Sequence, residues 1–168
     1  AVMDGSTQLS AHSNLIYSAF DQRLNVVSLP FLFDSFDDVD AKLDGDAGKA
    51  VGEVVESMGL HLLGIAENGF RHPTNSKHPI ESVADMKGLK IRVQDMKSQT
   101  DMMSYLGGIP VAMSYGDVYT SLQTGIIDGT ENNETALTTG KHGEVCKVYS
   151  VDQHAMIPDV LIMSEKVW

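Results

Sequence analysis

Apolar residues recur at helical spacing in several stretches of the chain. The segment 47–58 carries Ala, Val and Met side chains at positions i, i+3, i+4 and i+7. This spacing predicts an amphipathic helix, and Gly59 is typical of the residue that ends such a helix. Further short helices are predicted over 82–88, 97–106 and 117–124.

Strand patterns lie between these helices. In the segment 89–93 apolar and basic residues alternate, so Leu89, Ile91 and Val93 are expected to share one face of a strand. Strands that alternate with helices predict an α/β fold with a largely parallel sheet. Further strands are predicted over 60–65 and 160–163, where short apolar runs follow turn residues.

The composition is that of a folded globular protein with an acidic surface. Apolar residues make up 42% of the 168 residues and charged residues 21%, which excludes a disordered chain and a collagen-like repeat. The 12 Lys and Arg residues face 23 Asp and Glu residues, giving a formal net charge of -11. This balance argues against nucleic acid or an anionic membrane surface as the main partner.

The sequence contains no recognisable catalytic or metal-binding motif. The single cysteine, Cys146, is predicted to be a buried small apolar residue and not a reactive thiol. The six histidines lack the spacing of a helical metal site. Asp44 and Asp46 resemble the start of a calcium loop, but its twelfth position is Val55, so they are predicted to form the first turn of a helix. No cofactor, metal or catalytic residue is therefore predicted.

Positive charge is concentrated in one segment of this acidic chain. Half of the 12 Lys and Arg residues lie between Arg71 and Lys97, an arrangement that can hold a small anion while the protein stays soluble. Arg92 stands out because it lies inside the alternating strand, where a guanidinium needs a partner. A planar guanidinium can donate two parallel hydrogen bonds to the two oxygens of a carboxylate. From spacing alone, a ligand carboxylate and a structural salt bridge are both open.

A second polar cluster follows the last short helix. Two isoleucines lead into Asp128 and Gly129, and then come Glu131, Asn132 and Asn133. Amides directly after a strand and a turn commonly line a cleft at the carboxyl ends of strands. The alternative for Asn132 is a helix cap.

Five short motifs follow one another along the chain. They are Leu-Pro-Phe-Leu-Phe at 29–33, Asn-Gly-Phe-Arg-His at 68–72, Asp-Met-Lys-Gly-Leu-Lys-Ile-Arg-Val at 85–93, Gly-Asp-Val-Tyr-Thr-Ser-Leu-Gln-Thr-Gly at 116–125 and Asp-Gly-Thr-Glu-Asn at 128–132. In this order and spacing they resemble the substrate-binding proteins of TRAP transporters, the DctP-like family. Each motif alone is weak, but the five together are specific.

The resemblance implies an α/β fold of the type II periplasmic-binding-protein kind, with two lobes that close on a ligand about a hinge. Residues 1–68 and 158–168 would form lobe I, and residues 69–157 lobe II. Family members are longer, so the chain is expected to be an incomplete middle portion of this fold. The resemblance also implies a location in the bacterial periplasm, although no export signal is present, and TRAP permease membrane subunits as partners.

The resemblance further implies a non-catalytic site for a small organic acid. In this family the arginine of the Lys-Ile-Arg-Val strand, here Arg92, pairs with the substrate carboxylate. Arg71, which follows Asn-Gly-Phe, and Asn132 complete the anchor. The aromatic ring of Tyr115 packs against the ligand.

The identity of the acid stays open at this point. The doubled asparagine and the segment 149–154 resemble members that bind sugar acids such as uronates, which makes Asn133 and His154 second-tier ligand contacts. However, Glu134 and Met156 stand where those members often carry other residues, so simple dicarboxylates are also candidates.

Two other functions are consistent with the same sequence. A ligand-sensing module of a signalling system would use the same closure of two lobes on a ligand, and would pass its signal to a receptor instead of delivering the ligand to a permease. An enzyme that acts on a sugar acid would need a base and a metal site that the sequence does not supply.

Overall fold

The computed structural model describes residues 1–168 and divides them into two units. Unit 1 comprises Ala1–Gly69 and Ala155–Trp168, and unit 2 comprises Phe70–His154. The predicted lobe boundaries, at 68/69 and 157/158, lie close to the points where the chain passes from one unit to the other, at 69/70 and 154/155. The assignment of the units to hinged lobes stays a prediction.

Unit 1 is built on a three-stranded antiparallel sheet. The helix predicted over 47–58 is present and buries its apolar face, and Gly59 follows it with a φ of 75°. The helix begins at Asp46, as predicted, but the prediction is wrong for Asp44, which caps the end of the preceding helix. The elements are β1 (Leu9–Ser13), α1 (Asn14–Tyr17), a 3-10 helix (Gln22–Ser28), α2 (Phe36–Leu43), α3 (Asp46–Ser57), β2 (Leu60–Ala66), β8 (Ala155–Met156) and β9 (Asp159–Ser164). The sheet has the order β1-β9-β2.

Unit 2 contains a mixed sheet, whose strands are β3 (Phe70–Asn75), β4 (Lys90–Val93), β5 (Ile109–Ala112), β6 (Gly129–Asn132) and β7 (Val148–Tyr149). They lie in the order β5-β4-β6-β3-β7. Strand β4 pairs in parallel with β5 and β6, whereas β3 pairs antiparallel with β6 and β7.

The prediction of a largely parallel sheet is therefore wrong for unit 1 and for the β3 side of unit 2. Parallel neighbours need a crossover, and such crossovers exist only between β4, β5 and β6. Strand direction depends on pairing between distant segments, which local spacing does not report.

Helices cover the sheet of unit 2 and complete two apolar clusters. They are α4 (Lys97–Tyr105), α5 (Val118–Gln123), α6 (Thr135–Thr138), α7 (His142–Val145) and two 3-10 helices (Val83–Met86 and Tyr115–Asp117). One cluster contains Leu89, Ile91 and Val93, as the alternation predicted. The other includes Cys146, which is buried as predicted. No helix combines the length and the apolar character that crossing a membrane requires.

Gly129 allows β3, β4 and β6 to approach one another. A β-carbon added there would lie 2.8 Å from Asn75 Cβ and 2.9 Å from Ile91 Cδ1, and closer still to the backbone oxygen of Thr74.

We expect Gly129→Ala to lower the free energy of unfolding by roughly 1–3 kcal/mol in urea denaturation, because the strands must move apart. Gly116→Ala is the matched control, since nothing lies within 4 Å of its added β-carbon. Equal stability of the two variants would contradict this account.

Candidate ligand-binding site

Four strands of unit 2 bring the main predicted site residues to one edge of the sheet. The parallel strands β4, β5 and β6 end at this edge, and the antiparallel strand β3 begins there. Arg92 lies near the end of β4, Tyr115 follows β5, Asn132 ends β6 and Arg71 lies at the start of β3. Ligands of open α/β sheets typically bind at the carboxyl ends of strands.

Arg92 is a buried cation without an acidic partner. It is 3% exposed, and its Nε and Nη2 atoms donate to the backbone oxygen of Met113 at 3.1 and 2.9 Å. No carboxylate forms an ion pair with the guanidinium, and Nη1 has no hydrogen-bond partner within the protein. Burial lowers the pKa of Arg92, and the charge of Glu131 opposes that change. The structural salt bridge that spacing left open is therefore not formed.

Tyr115 lies against the Arg92 guanidinium. Arg92 Cζ is 5.9 Å from the centre of the Tyr115 ring, within the range of cation–π attraction. The ring of His142, on α7, lies 5.6 Å from the same ring. His142 is buried and its Nδ1 has no partner; burial, aided by the charge of Arg92, lowers the pKa of this imidazole. Tyr115 itself is 50% exposed, so part of its ring is open to a ligand.

Arg71, in contrast, forms a buried bidentate ion pair with Glu131. Its Nε donates to Glu131 Oε2 at 2.5 Å and its Nη2 to Oε1 at 3.0 Å. Nη2 also donates to the backbone oxygen of Glu131 at 2.7 Å. Burial alone would raise the pKa of Glu131, but Arg71 and His154 lower it to about 2. The charge of Arg71 is therefore neutralised inside the protein.

His154 extends this ion pair into a row of alternating charges. Its Nδ1 lies 2.8 Å from Asp152 Oδ1 and its Nε2 lies 3.4 Å from Glu131 Oε2. Burial alone would lower the pKa of His154, but its hydrogen bonds to Asp152 and Glu131 raise it to about 9. Both ring nitrogens of His154, a predicted second-tier ligand contact, are thus occupied inside the protein.

The side-chain amide of Asn132 is oriented by the same cluster. Its Oδ1 accepts from Arg71 Nη1 at 3.1 Å and from the backbone N–H of Asn133 at 2.9 Å. Because the oxygen and nitrogen of an amide point in opposite directions, Nδ2 of Asn132 faces away from Arg71. This nitrogen has no partner within the protein, so it offers hydrogen-bond donors suited to an anionic oxygen.

Asn133, and not Asn132, accepts hydrogen bonds from the first residue of the helix that follows. Its Oδ1 accepts from the backbone N–H of Thr135 at 3.1 Å and from the Thr135 hydroxyl at 2.6 Å, at the start of α6. The helix-cap alternative for Asn132 is therefore wrong. The expectation that the amides lie directly after a strand is confirmed for Asn133, whereas Asn132 is the last residue of β6, which begins at Gly129.

Three residues of the site carried no predicted role, namely Glu131, Asp152 and His142. A signal existed for Glu131, since a carboxylate inside a short strand needs a cationic partner. Asp152 and His142 lie in segments whose neighbours come from distant parts of the chain, so no local pattern marks them. No group of three or more His, Cys, Asp or Glu side chains is arranged to hold a metal ion.

Comparison with known families identifies the chain. The model for the bacterial extracellular solute-binding protein family 7, DctP, matches residues 1–168. The chain belongs to this family. The predicted resemblance is confirmed, and so is the α/β binding-protein fold class.

Three related proteins illustrate the match. The C4-dicarboxylate-binding periplasmic protein DctP of Rhodobacter capsulatus is 31% identical over 169 residues, which is 100% of this chain and 50% of the relative. A TRAP periplasmic solute-binding protein from Sulfitobacter sp. NAS-14.1, solved with bound β-D-galacturonate, is 36% identical with a TM-score of 0.95, over 98% of this chain and 55% of that protein. A TRAP periplasmic solute-binding protein from Chromohalobacter salexigens, solved with bound D-glucuronate, is 33% identical with a TM-score of 0.96. The match covers 99% of this chain and 56% of that protein. The chain thus spans about half the length of the proteins that it matches.

Alkaline pH should weaken the fold through His154. Its pKa is raised from 6.5 to about 9, so the stability that the charged ring contributes is complete below pH 6.5 and is lost as the pH rises through 9. In urea denaturation we expect the free energy of unfolding to fall by about 2–3 kcal/mol between about pH 6.5 and 9.5. The fall should be much smaller in His154→Gln and unchanged in the control His78→Gln, whose ring is exposed. A full fall in His154→Gln would show that the charge of His154 contributes nothing.

Proposed function

We propose that this protein captures a small organic acid outside the cytoplasm, anchors its carboxylate at Arg92, and delivers it to a TRAP permease. The observation that carries the proposal is the buried Arg92 guanidinium without an acidic partner. Burying a charge costs several kcal/mol unless an opposite charge compensates it. A ligand carboxylate would supply that charge, and it matches the guanidinium fork in shape.

The neighbours of Arg92 fit a carboxylate in complementary ways. The free Nη1 of Arg92 and the unpaired Nδ2 of Asn132 both donate hydrogen bonds at the same edge of the sheet. The half-exposed ring of Tyr115 would pack against the carbon skeleton of the ligand. Arg71, whose charge Glu131 neutralises, would act chiefly by holding the Asn132 amide in place.

Sugar acids are the substrate class that we propose. Arg71 and His154 form ion pairs with Glu131 and Asp152, and Arg92 forms none, which leaves the charge of Arg92 in excess. One excess charge suits one carboxylate. The solved relatives from Sulfitobacter and Chromohalobacter hold galacturonate and glucuronate, each with one carboxylate and several hydroxyls. The competing class is the C4-dicarboxylates, for which the Rhodobacter relative is named.

The proposed location and partner come from the family. The family is extracellular, which supports the bacterial periplasm as the site of action and TRAP permease membrane subunits as the partner. The relatives are binding proteins and not enzymes or signalling modules, so neither alternative function gains support from them.

Arg92→Ala should abolish tight binding of the acid. Truncating one partner of a buried charge pair costs about 2–5 kcal/mol, which corresponds to a loss of affinity of roughly 30- to 4,000-fold in isothermal titration calorimetry. Arg92→Lys should also bind poorly, because a point charge cannot replace the planar fork. Lys90→Ala removes an exposed cation from the same strand and serves as the control. An unchanged dissociation constant in Arg92→Ala would remove Arg92 from the site.

A thermal-shift comparison of matched acids tests the substrate class. Galacturonate and galactarate share one carbon skeleton, but galactarate carries a second carboxylate. At a hundredfold excess over the dissociation constant a ligand adds about 2.7 kcal/mol of stability, so the preferred acid should raise the Tm by several degrees. We expect galacturonate to exceed both galactarate and succinate. A larger rise in Tm with the dicarboxylates would overturn the sugar-acid assignment. No rise in Tm with any of the acids would overturn the proposal that Arg92 binds a carboxylate.

A further inference from the structure

His72 is a buried imidazole that makes two hydrogen bonds to one loop. It is 2% exposed, and its Nδ1 accepts from the backbone N–H groups of Asp152 and Gln153, both at 3.1 Å. A ring nitrogen that accepts N–H groups carries no proton, so His72 is neutral and its hydrogen is on Nε2. Through this ring, β3 holds the loop that leads to His154.

The loop depends on such an anchor because its backbone is strained. Gln153 has a φ of 51°, in the left-handed region that few residues other than glycine adopt. The turn brings Asp152 Oδ1 within 3.2 Å of the backbone nitrogen of His154 and 2.8 Å of its ring Nδ1. The same turn places Nε2 of His154 beside Glu131.

We infer that His72 is a positioning residue for the ligand site: its neutral imidazole holds the turn at 152–154, which keeps His154 against Glu131 and Glu131 against Arg71. The consequence for ligand affinity rests on the proposed function. The connection from His72 to His154 does not, and it can be measured without a ligand.

Acid should release this anchor. If Nδ1 of His72 were protonated, it would be a donor facing the two backbone N–H donors of Asp152 and Gln153, so both hydrogen bonds would be lost. Nδ1 lies 3.7 Å from Asp152 Oδ1 and Nε2 lies 3.8 Å from Glu134 Oε1, and the Tyr149 ring meets the imidazole edge-on at 5.2 Å. Burial lowers the pKa of His72, and Asp152 and Glu134 partly oppose this. The titratable groups on the elements around the ring are Glu131, Glu134, Tyr149, Asp152 and His154.

The decisive experiment follows the His154 imidazole by NMR titration in variants of His72. His72→Leu removes the acceptor, whereas His72→Asn keeps an amide oxygen near the position of Nδ1 and cannot be protonated in this range. We expect the pKa of His154 to fall by at least about one unit in His72→Leu, towards the ordinary value for histidine, and to stay near that of the native protein in His72→Asn. His78→Leu is the control, and His154→Gln assigns the resonance. An unchanged pKa of His154 in folded His72→Leu would overturn the inference, as would an equal fall in His72→Asn.

A second measurement covers the case in which His72→Leu does not fold. In the native protein the backbone amide resonances of Asp152 and Gln153 should shift at the same pH as the ring resonances of His72, and this transition should be missing in His72→Asn. Amide resonances that do not follow the His72 ring in the native protein would overturn the inference. When an acid ligand has been identified, we expect His72→Leu to lose about tenfold or more in affinity, because the released turn must be ordered again on binding, and His72→Asn to lose much less.

Discussion

The buried ion pair between Arg71 and Glu131 is the interaction on which the candidate site depends. It joins β3 to β6 through three hydrogen bonds between groups that are almost completely withdrawn from solvent. Removing one partner of such a pair costs about 3–5 kcal/mol, because the other charge stays buried and unpaired. The surroundings support both partners: His154 adds a second cation beside Glu131, and Asn132 accepts a further hydrogen bond from Arg71.

The two arginines of the site differ in how their charges are compensated. Both are 3% exposed and both lie at the same edge of the sheet. Arg71 donates to a carboxylate, which cancels its charge, whereas Arg92 donates to the backbone oxygen of Met113, which fixes its orientation and leaves its charge in place. A guanidinium that is held still before the ligand arrives loses less entropy on binding, so a rigid, unpaired arginine is a favourable anchor for an anion.

Local patterns predicted those parts of the fold that local forces determine. The strand containing Arg92 was predicted because Leu89, Ile91 and Val93 alternate with polar residues, and these three side chains are indeed buried together. Strand β3 was not predicted, although all six of its residues are buried, because Arg71, His72 and Pro73 are typical of a loop. Their burial is possible only because their partners arrive from residues 60 to 81 positions away. No window of the sequence contains both sides of such contacts, so neither the strand nor the row of charges could be predicted from spacing.

The acidic surface and the buried cation are compatible because they act over different distances. The chain has a net charge of -11, which would repel an anionic ligand if all of its charges acted at full strength. Exposed charges are largely screened beyond about 8 Å at physiological ionic strength. The charge of Arg92 is screened far less, because it is buried and would act at short range on a ligand bound at the strand ends. Net charge therefore bears on solubility and on the exclusion of nucleic acid, whereas the sign of a small ligand follows from the few buried charges that it would touch.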